Sequence, residues 1–151
     1  MENWPRLDLN AMKEYNLCFG CGKKNPIGLK LEFNWDGTTA TALFKPDKYL
    51  QGWSGYLHGG ITACVLDEAM GRTTMFAGYH NVTAKIQVRY RKMAPVNDTY
   101  TVTCTVSRKT SRLIETEARL IASDGSVVAE ATSTQFIVNL TENREDAGNK
   151  S

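Results

Sequence analysis

The sequence predicts an α+β fold in which a curved antiparallel β-sheet wraps around one long central helix. Three observations predict it: one long helical segment is apolar on nearly every side, two strand-like segments precede it, and four follow it. A helix of this kind that is too short to span lipid has to be covered by protein. A chain of 151 residues is long enough to bury one such core.

Two segments with the period of a strand come before the helix. The first, residues 28–35, has its apolar residues at alternate positions, namely Leu29, Leu31, Phe33 and Trp35. The dipeptide Asp36-Gly37 marks a turn, and the second segment, TATALFKP, completes a hairpin. Ahead of both, the first 15 residues are compatible with one short amphipathic helix that begins after Pro5.

The long helix is predicted from about Gly60 to Ala77, after a loop rich in glycine and aromatic residues. Four segments of alternating polarity follow it, at residues 83–93, 99–109, 112–122 and 126–138. In the first of them the apolar face is predicted to carry Ala84, Ile86, Val88 and Tyr90. One polar face on each strand indicates an antiparallel sheet. Such a sheet curled around a buried helix is the hot-dog arrangement, and a second copy would cover the helix surface left open.

Composition argues against several classes of partner. With 18 Lys and Arg against 16 Asp and Glu, the net charge is only +2, so no broad basic surface for nucleic acid or an acidic membrane is expected. A local cationic patch for a small polyanion stays open. No apolar run approaches the roughly 18 residues of a membrane span, and the first residues do not resemble a secretory signal. We expect a cytoplasmic protein with no membrane or nucleic-acid partner.

We expect one domain over residues 1–140, with residues 1–27 as an N-terminal extension and residues 141–151 as a polar, disordered tail. The four cysteines are expected to be reduced, because Cys64 falls inside the helix and Cys104 inside a strand.

Cys18 and Cys21 form a C-x-x-C turn in the extension. This spacing indicates zinc strongly only when a second ligand pair follows, and no such pair follows in the sequence. We favour a turn packed by two small thiols, with a metal, within one chain or shared between subunits, or a redox role as the alternatives. We therefore predict an active site without a metal.

The stretch QGWSGYLHGGITACVLDEAMG, residues 51–71, resembles the helix-start motif of hot-dog thioesterases of the phenylacetate-pathway and thioesterase-superfamily type. The segments CFGCGKKNPIGLKLEF and RYRKMAPV are also similar to that group, so the resemblance covers residues 18–138. It implies hydrolysis of the thioester of a fatty or aryl acyl-CoA. Coenzyme A is then part of the substrate, and no separate cofactor is expected.

The motif contains both groups that thioester hydrolysis needs. Attack on the carbonyl builds negative charge on its oxygen, so N–H donors must face it, and a carboxylate must attack or deprotonate water. Gly59 and Gly60 let the backbone approach a ligand closely at a helix start, where free N–H groups carry the positive end of the dipole. The resemblance implies that the Gly59 N–H is the oxyanion donor and Asp67 the general base or nucleophile.

These assignments have plainer alternatives. Asp67 would otherwise only hydrogen-bond a helix neighbour in a subunit interface. Glu68, about 100° away around the helix, is the second choice for the acid, although it suits a structural pair with Arg72 at i+4. Thr83 matches the position where relatives carry a Ser or Thr that holds the water or the acid, but threonine is also a good strand former. His58 is expected to orient the helix start, with a direct catalytic role as the alternative.

A single helix cannot supply both halves of the reaction centre. Gly59 and Asp67 are eight residues apart, which separates them by about 12 Å along a helix axis. Groups that serve one carbonyl must converge within a few ångströms. The donor of one subunit must then meet the acid of another, so we predict a homodimer with two equivalent sites. Many relatives pair such dimers into tetramers.

Further residues are candidates for substrate binding. The candidate phosphate-binding cations lie at strand ends and in a turn, and they are Arg89, Arg91, Lys92, Arg108 and Arg112. Solvated surface charge is the alternative for each of them. The candidate acyl or aryl pocket residues are Gly60, Trp53, Tyr56, Met70, Thr74 and Met75. Residues this apolar are more often core.

Two other functions compete with hydrolysis. The first is a non-catalytic hot-dog protein that binds acyl-CoA or lipid. The second is an enoyl-CoA hydratase or dehydratase, which needs a histidine and an acid at the carbon next to the carbonyl. His58, directly beside the glycines, fits that requirement less well.

Overall fold

The computed structural model describes residues 7–8 and 15–141. One long helix, α1, spans Gly59–Phe76. The strands are, in chain order, β1 (Leu7–Asp8), β2 (Asn34–Trp35), β3 (Thr39–Phe44), β4 (Asn81–Tyr90), β5 (Tyr100–Lys109), β6 (Leu113–Ile121), β7 (Val127–Ile137) and β8 (Leu140–Thr141). Short 3₁₀ helices lie at Tyr15–Leu17 and Lys48–Leu50.

Six of the strands form one antiparallel sheet in the order β2-β3-β5-β6-β7-β4. The helix α1 packs against β3 to β7 of this sheet, while β1 and β8 pair separately and in parallel. The predicted hot-dog arrangement is therefore confirmed. Within the described residues, β4 ends the strand order and pairs with β7 alone, so it forms one edge of the sheet.

Three of the four strands that follow the helix, β5, β6 and β7, lie within the predicted segments, because alternate residues bury one face. The fourth, β4, begins two residues before its predicted segment and ends three residues before the end of that segment. In β6 every second residue is buried, namely Ile114, Thr116, Ala118 and Leu120. The intervening Glu117 and Arg119 are exposed. This alternation is typical of an antiparallel sheet with one face on a core and one in water.

The first predicted strand is wrong over most of its length. Only Asn34–Trp35 pairs with β3, so the hairpin around Asp36-Gly37 exists but is short. Lys30 has a positive φ of 52°, which interrupts an extended backbone. The N–H groups of Leu29 and Leu31 donate instead to the carbonyls of Phe19 and Gly20, at 2.8 and 2.9 Å. Residues 28–33 thus hold the cysteine turn rather than extending the sheet.

Both ends of α1 are closed by local chemistry. His58 is the N-cap, and its side chain accepts a hydrogen bond from the Gly60 N–H. At the other end Gly78 has a φ of +98°, a conformation that glycine adopts without steric cost, and its N–H donates to the Met75 carbonyl. The predicted span from Gly60 to Ala77 is therefore correct to within one residue.

The helix is fully buried on one side only. Its innermost residues are Val65, Leu66, Ala69, Met70 and Thr73, none of which is exposed. Asp67, Glu68 and Arg72 lie on the opposite side and are half-buried. The expectation that the helix is apolar on nearly every side is therefore too simple, because its polar side chains share one flank that the sheet does not cover.

The amphipathic helix predicted after Pro5 falls outside the described residues for most of its length, and so does the polar tail beyond residue 141. Among the described helices, none combines the length and the hydropathy that crossing a membrane requires.

The core position of Leu66 generates a stability prediction. Leu66 is 0% exposed, so Leu66→Ala should lower the free energy of unfolding by about 2–5 kcal/mol. Leu43 is 68% exposed on β3, and Leu43→Ala should change it by less than about 1 kcal/mol. Urea unfolding followed by circular dichroism measures both. Equal losses in the two variants would contradict the packing described for α1.

Candidate active site

The peptide groups at the start of α1 are held in fixed orientations. The Gly59 carbonyl accepts a hydrogen bond of 2.7 Å from the Tyr90 hydroxyl, and the Gly60 N–H of the same peptide donates to His58 Nδ1 at 2.9 Å. The preceding carbonyl, that of His58, accepts from the N–H groups of Ile61 and Thr62 at 3.0 and 3.1 Å. Neither peptide plane on either side of Gly59 is free to rotate.

The Gly59 N–H is the group that this network leaves unused. A trans peptide points its N–H opposite to its carbonyl, and the His58 carbonyl is directed into the helix by its two bonds. The Gly59 N–H therefore points away from α1, and within the described residues no acceptor is bonded to it. It lies at the positive end of the helix dipole, which is a preorganised position for a negatively charged oxygen. The Gly60 N–H, in contrast, is already used by His58.

Asp67 lies on the half-buried flank of α1 and is bound from the sheet. Thr83 Oγ1 on β4 donates to Asp67 Oδ1 at 3.0 Å. This bond fixes the carboxylate and leaves its second oxygen for another partner. Of the two partners that the resemblance implies for Thr83, the water or the acid, the structure shows a bond to the acid.

A β-bulge in β4 brings Thr83 into contact with Asp67. In the pairing of β4 with β7 the register shifts between Thr83 and Lys85, so that Thr83 lies opposite the buried Gln135. A one-residue shift moves a side chain to the other face of a strand. Thr83 consequently faces α1, and Ala84, which the alternation places on the apolar face, is exposed. That part of the predicted pattern is wrong.

A cavity of about 380 Å³ opens beside the helix start. Its lining includes the predicted site residues Trp53, Tyr56, Gly59, Arg91 and Lys92. Trp53 is 83% exposed, so its large aromatic surface lies at the rim of the cavity and is not covered by protein. Asp67 and Thr83 do not line this cavity. This is expected, because Asp67 lies more than two helical turns from Gly59 and Thr83 contacts Asp67.

The remaining predicted substrate residues lie elsewhere within one chain. Met70 and Thr74 are fully buried, and we assign both to the core rather than to a pocket. Met75, also predicted for the pocket, does not line this cavity. Arg89 lines a separate cavity on the sheet, and Arg108 and Arg112 are exposed near the β5–β6 turn.

Tyr90 is the functional residue that sequence reasoning missed. It is 52% exposed, it lines the cavity, and it anchors the Gly59 carbonyl. The alternation of β4 placed it correctly on the face toward α1 but suggested only an apolar role. The sequence signal for this role is the hydroxyl of a tyrosine at the end of that face. A pattern of apolar and polar residues does not distinguish it from a purely apolar side chain.

Two charged groups next to the cavity interact with each other. Arg91 and Glu130 form an ion pair of 2.5 Å, and this hydrogen bond from Arg91 lowers the pKa of the Glu130 carboxyl. Part of the positive charge of Arg91 is therefore offset within the chain. Lys92 adds a second cation to the same rim.

Glu68 points away from Asp67, toward the N-terminal cysteine turn. The Cys18 thiol donates to its carboxylate, with distances of 3.7 and 3.9 Å to the two oxygens. Arg72 lies over the ring of Phe76, at 5.1 Å from its centre. None of the four cysteines, all of which lie in the described part of the chain, forms a disulfide bond. Burial together with the charges of Glu68 and Asp67 raises the pKa of Cys64 to about 11.

The fold and the helix start define a hot-dog protein with a preorganised donor and a carboxylate on one helix. Residues 54–129, about half of the chain, match the family model described as the thioesterase superfamily, and the chain belongs to that family.

Individual relatives agree with this assignment. Human acyl-coenzyme A thioesterase THEM5 is 34% identical over 58 residues, which are 38% of this chain and 24% of THEM5. The match thus spans about a quarter of the length of that relative. The PaaI protein from the phenylacetic acid degradation operon of Escherichia coli has a TM-score of 0.73 and 17% identity, over 89% of this chain and 94% of PaaI. The Streptococcus mutans protein smu.793, solved bound to acetyl CoA, has a TM-score of 0.69 and 17% identity, over 73% and 90%.

The capping role of His58 generates a second prediction. His58→Ala removes the acceptor for the Gly60 N–H and should cost about 0.5–2 kcal/mol of stability. His58→Asn restores a capping oxygen and should recover most of that loss. Thermal unfolding of both variants measures the difference. If His58→Asn is as unstable as His58→Ala, the histidine acts through something other than its cap.

Proposed function

We propose that this protein hydrolyses acyl-CoA thioesters at a reaction centre to which two copies of the chain contribute. The observation that carries the proposal is the pair of held groups on α1, an unused Gly59 N–H at its start and an Asp67 carboxylate bound by Thr83. These are the donor and the acid that thioester hydrolysis requires. Membership of the thioesterase superfamily and the similarity to THEM5 support the same activity.

In the proposed reaction Asp67 accepts a proton from water while the water oxygen attacks the thioester carbonyl carbon. The negative charge that develops on the carbonyl oxygen is stabilised by the Gly59 N–H of the other chain. Collapse of the intermediate breaks the C–S bond and releases the carboxylic acid, and the coenzyme A sulfur takes up the proton. Direct attack by the Asp67 carboxylate, followed by hydrolysis of the anhydride, uses the same two groups. Thr83 keeps the carboxylate aimed in either case.

The cavity beside Gly59 is the proposed binding site for the substrate. Arg91 and Lys92 at its rim suit the phosphates of coenzyme A, while Trp53 and Tyr56 offer an aromatic surface to its apolar part. That smu.793 was solved bound to acetyl CoA supports this class of ligand for the fold.

The position of β4 supports the homodimer that the proposal requires. Its N-terminal half carries Thr83, which binds Asp67, and its last residue is Tyr90, which binds Gly59. Its outer edge has backbone groups to offer to another strand. Two copies that meet along this edge across a two-fold axis run in opposite directions. The Thr83 end of one copy then lies beside the Tyr90 end of the other, which brings an acid to a donor twice per dimer.

The activity is tested on a panel of short, medium, long and aromatic acyl-CoAs with a reporter for free thiol. We expect thiol release from at least one substrate class. Binding of acyl-CoA without release would instead indicate a binding protein, and hydration of an enoyl-CoA would indicate a hydratase.

Two variants separate the roles of the two groups. Asp67→Asn should lower kcat by at least about 10²-fold while the dimer persists, because the amide neither attacks nor accepts the proton. Gly59→Pro replaces the N–H with the ring Cδ of proline, and its Cβ meets only ordinary contacts with Tyr90, so loss of the donor should cost about 10²–10³-fold. Proline is well accepted at the first position of a helix, and His58 already has the extended conformation, φ −64° and ψ 132°, that proline requires before it. Wild-type kcat in Asp67→Asn would contradict the proposal.

A further inference from the structure

We propose that Cys18, Cys21 and Glu68 form a binding site for a thiophilic divalent cation, with Zn²⁺ as the best-fitting ion. The two sulfur atoms and a carboxylate oxygen of Glu68 all lie within 4.8 Å of one another, and all three side chains are half-buried. The sequence offers only the C-x-x-C pair. The fold adds the third ligand from α1, 50 residues away from Cys18. This site is separate from the proposed reaction centre and does not depend on thioesterase activity.

The spacing of the three ligand atoms suits tetrahedral coordination. Zn–S bonds of about 2.3 Å and Zn–O bonds of about 2.0 Å place ligand atoms about 3.5–3.8 Å apart at tetrahedral angles. Cys18 Sγ lies 3.7 and 3.9 Å from the two Glu68 oxygens. Only small side-chain movements separate this arrangement from a coordinated one.

Backbone hydrogen bonds hold the cysteine turn in place. The Gly22 N–H donates to the Cys18 carbonyl at 2.8 Å, and the Lys24 N–H donates to the Asn16 carbonyl at 3.1 Å. The bonds from Leu29 and Leu31 to the middle of the turn fix it from the other side. The two thiols therefore do not depend on a metal for their position, which lowers the entropic cost of binding one.

Gly20, between the two cysteines, leaves the space that Glu68 occupies. A Cβ at residue 20 would lie 2.4 Å from Glu68 Oε2, which is closer than atoms can approach. Any other residue would displace the carboxylate from the two sulfurs. The absence of a side chain at this position is thus a requirement of the three-residue cluster and not only of the turn.

The chemistry of the three groups selects the ion. Thiolate sulfur favours Zn²⁺ and related soft cations, and it disfavours Mg²⁺ and Ca²⁺, which prefer oxygen ligands. Two thiolates and one carboxylate would repel one another at this distance, and a divalent cation offsets most of that charge. Three protein ligands leave the fourth tetrahedral position to water. The ion would fasten the segment at residues 16–31 to α1 at the residue beside Asp67.

Co²⁺, whose thiolate complexes absorb light, is the probe for the test. The full chain is reduced, freed of metal with a chelator and titrated with Co²⁺. We expect one Co²⁺ per chain, a sulfur-to-metal charge-transfer band, and displacement of the Co²⁺ by equimolar Zn²⁺. Cys18→Ser, Cys21→Ser and Glu68→Gln should each weaken binding at least tenfold, with circular dichroism to verify that each variant is folded.

Matched variants distinguish the three-ligand site from a plain pair of thiols. Gly20→Ala keeps every ligand but displaces Glu68, so it should weaken Co²⁺ binding like Glu68→Gln. In Gly71→Ala the new Cβ meets only ordinary contacts, with Asn81 Oδ1 at 3.6 Å, and Glu32→Gln alters an exposed carboxylate that pairs with Lys23. Both should bind as the wild type does.

Two results would overturn the proposal. The first is a wild-type chain that binds Co²⁺ no better than Cys18→Ser, including the case in which Cys18 and Cys21 form a disulfide instead. The second is wild-type affinity in both Glu68→Gln and Gly20→Ala, because Glu68 would then not be a ligand.

Discussion

One rigid helix carries both Gly59 and Asp67 and keeps them about 12 Å apart along its axis. The distance cannot shrink without unwinding a helix whose inner face is fully buried against the sheet. Neither group alone performs thioester hydrolysis, and no movement within one chain brings them together. The proposed hydrolysis therefore needs a second copy of the chain, and the other features of the proposed site are understood in relation to this constraint.

The edge strand β4 supports the two ends of that helix in different ways. Near its start, the bulge after Thr83 turns the threonine hydroxyl toward the Asp67 carboxylate. At its end, the Tyr90 hydroxyl fixes the Gly59 carbonyl, in the peptide that directly follows the unused Gly59 N–H. Within the described residues, the strand that holds both groups also lies at one end of the strand order. In the proposed dimer, preorganisation of the site and association of two copies would therefore involve the same element.

The parts of the fold that were predictable are those set by periodic burial. The helix and the four strands after it each have a regular pattern of apolar residues over nine or more positions. Their observed bounds agree with the predicted bounds to within three residues. The strand predicted at residues 28–33 is wrong because the hydrogen bonds of this segment run to a loop and Lys30 has a positive φ. Neither feature changes the pattern of polarity in the sequence. The hydrogen bond from Thr83 to Asp67 depends on a bulge that the pattern of polarity does not show.

Contacts between distant segments were beyond sequence reasoning. The motif around His58 and Gly59 is local, so a role of His58 in orienting the helix start could be expected from the sequence, while the donor role of Gly59 was implied only by the family resemblance. The approach of Glu68 to Cys18 joins residues 50 positions apart and depends on Gly20, whose role appears only once the turn is folded against α1. In the same way, the bond from Tyr90 to Gly59 is made by the packing of β4 on the helix start.

Mixing two inactive variants tests the shared reaction centre most directly. Asp67→Asn supplies a chain with an intact donor, and Gly59→Pro supplies one with an intact acid. After random exchange of subunits, half of the dimers are mixed and each mixed dimer has one complete site, so activity should recover to about a quarter of the wild-type value. Differently tagged chains verify that exchange has occurred. A mixture that contains mixed dimers but remains as inactive as its two components would contradict the account.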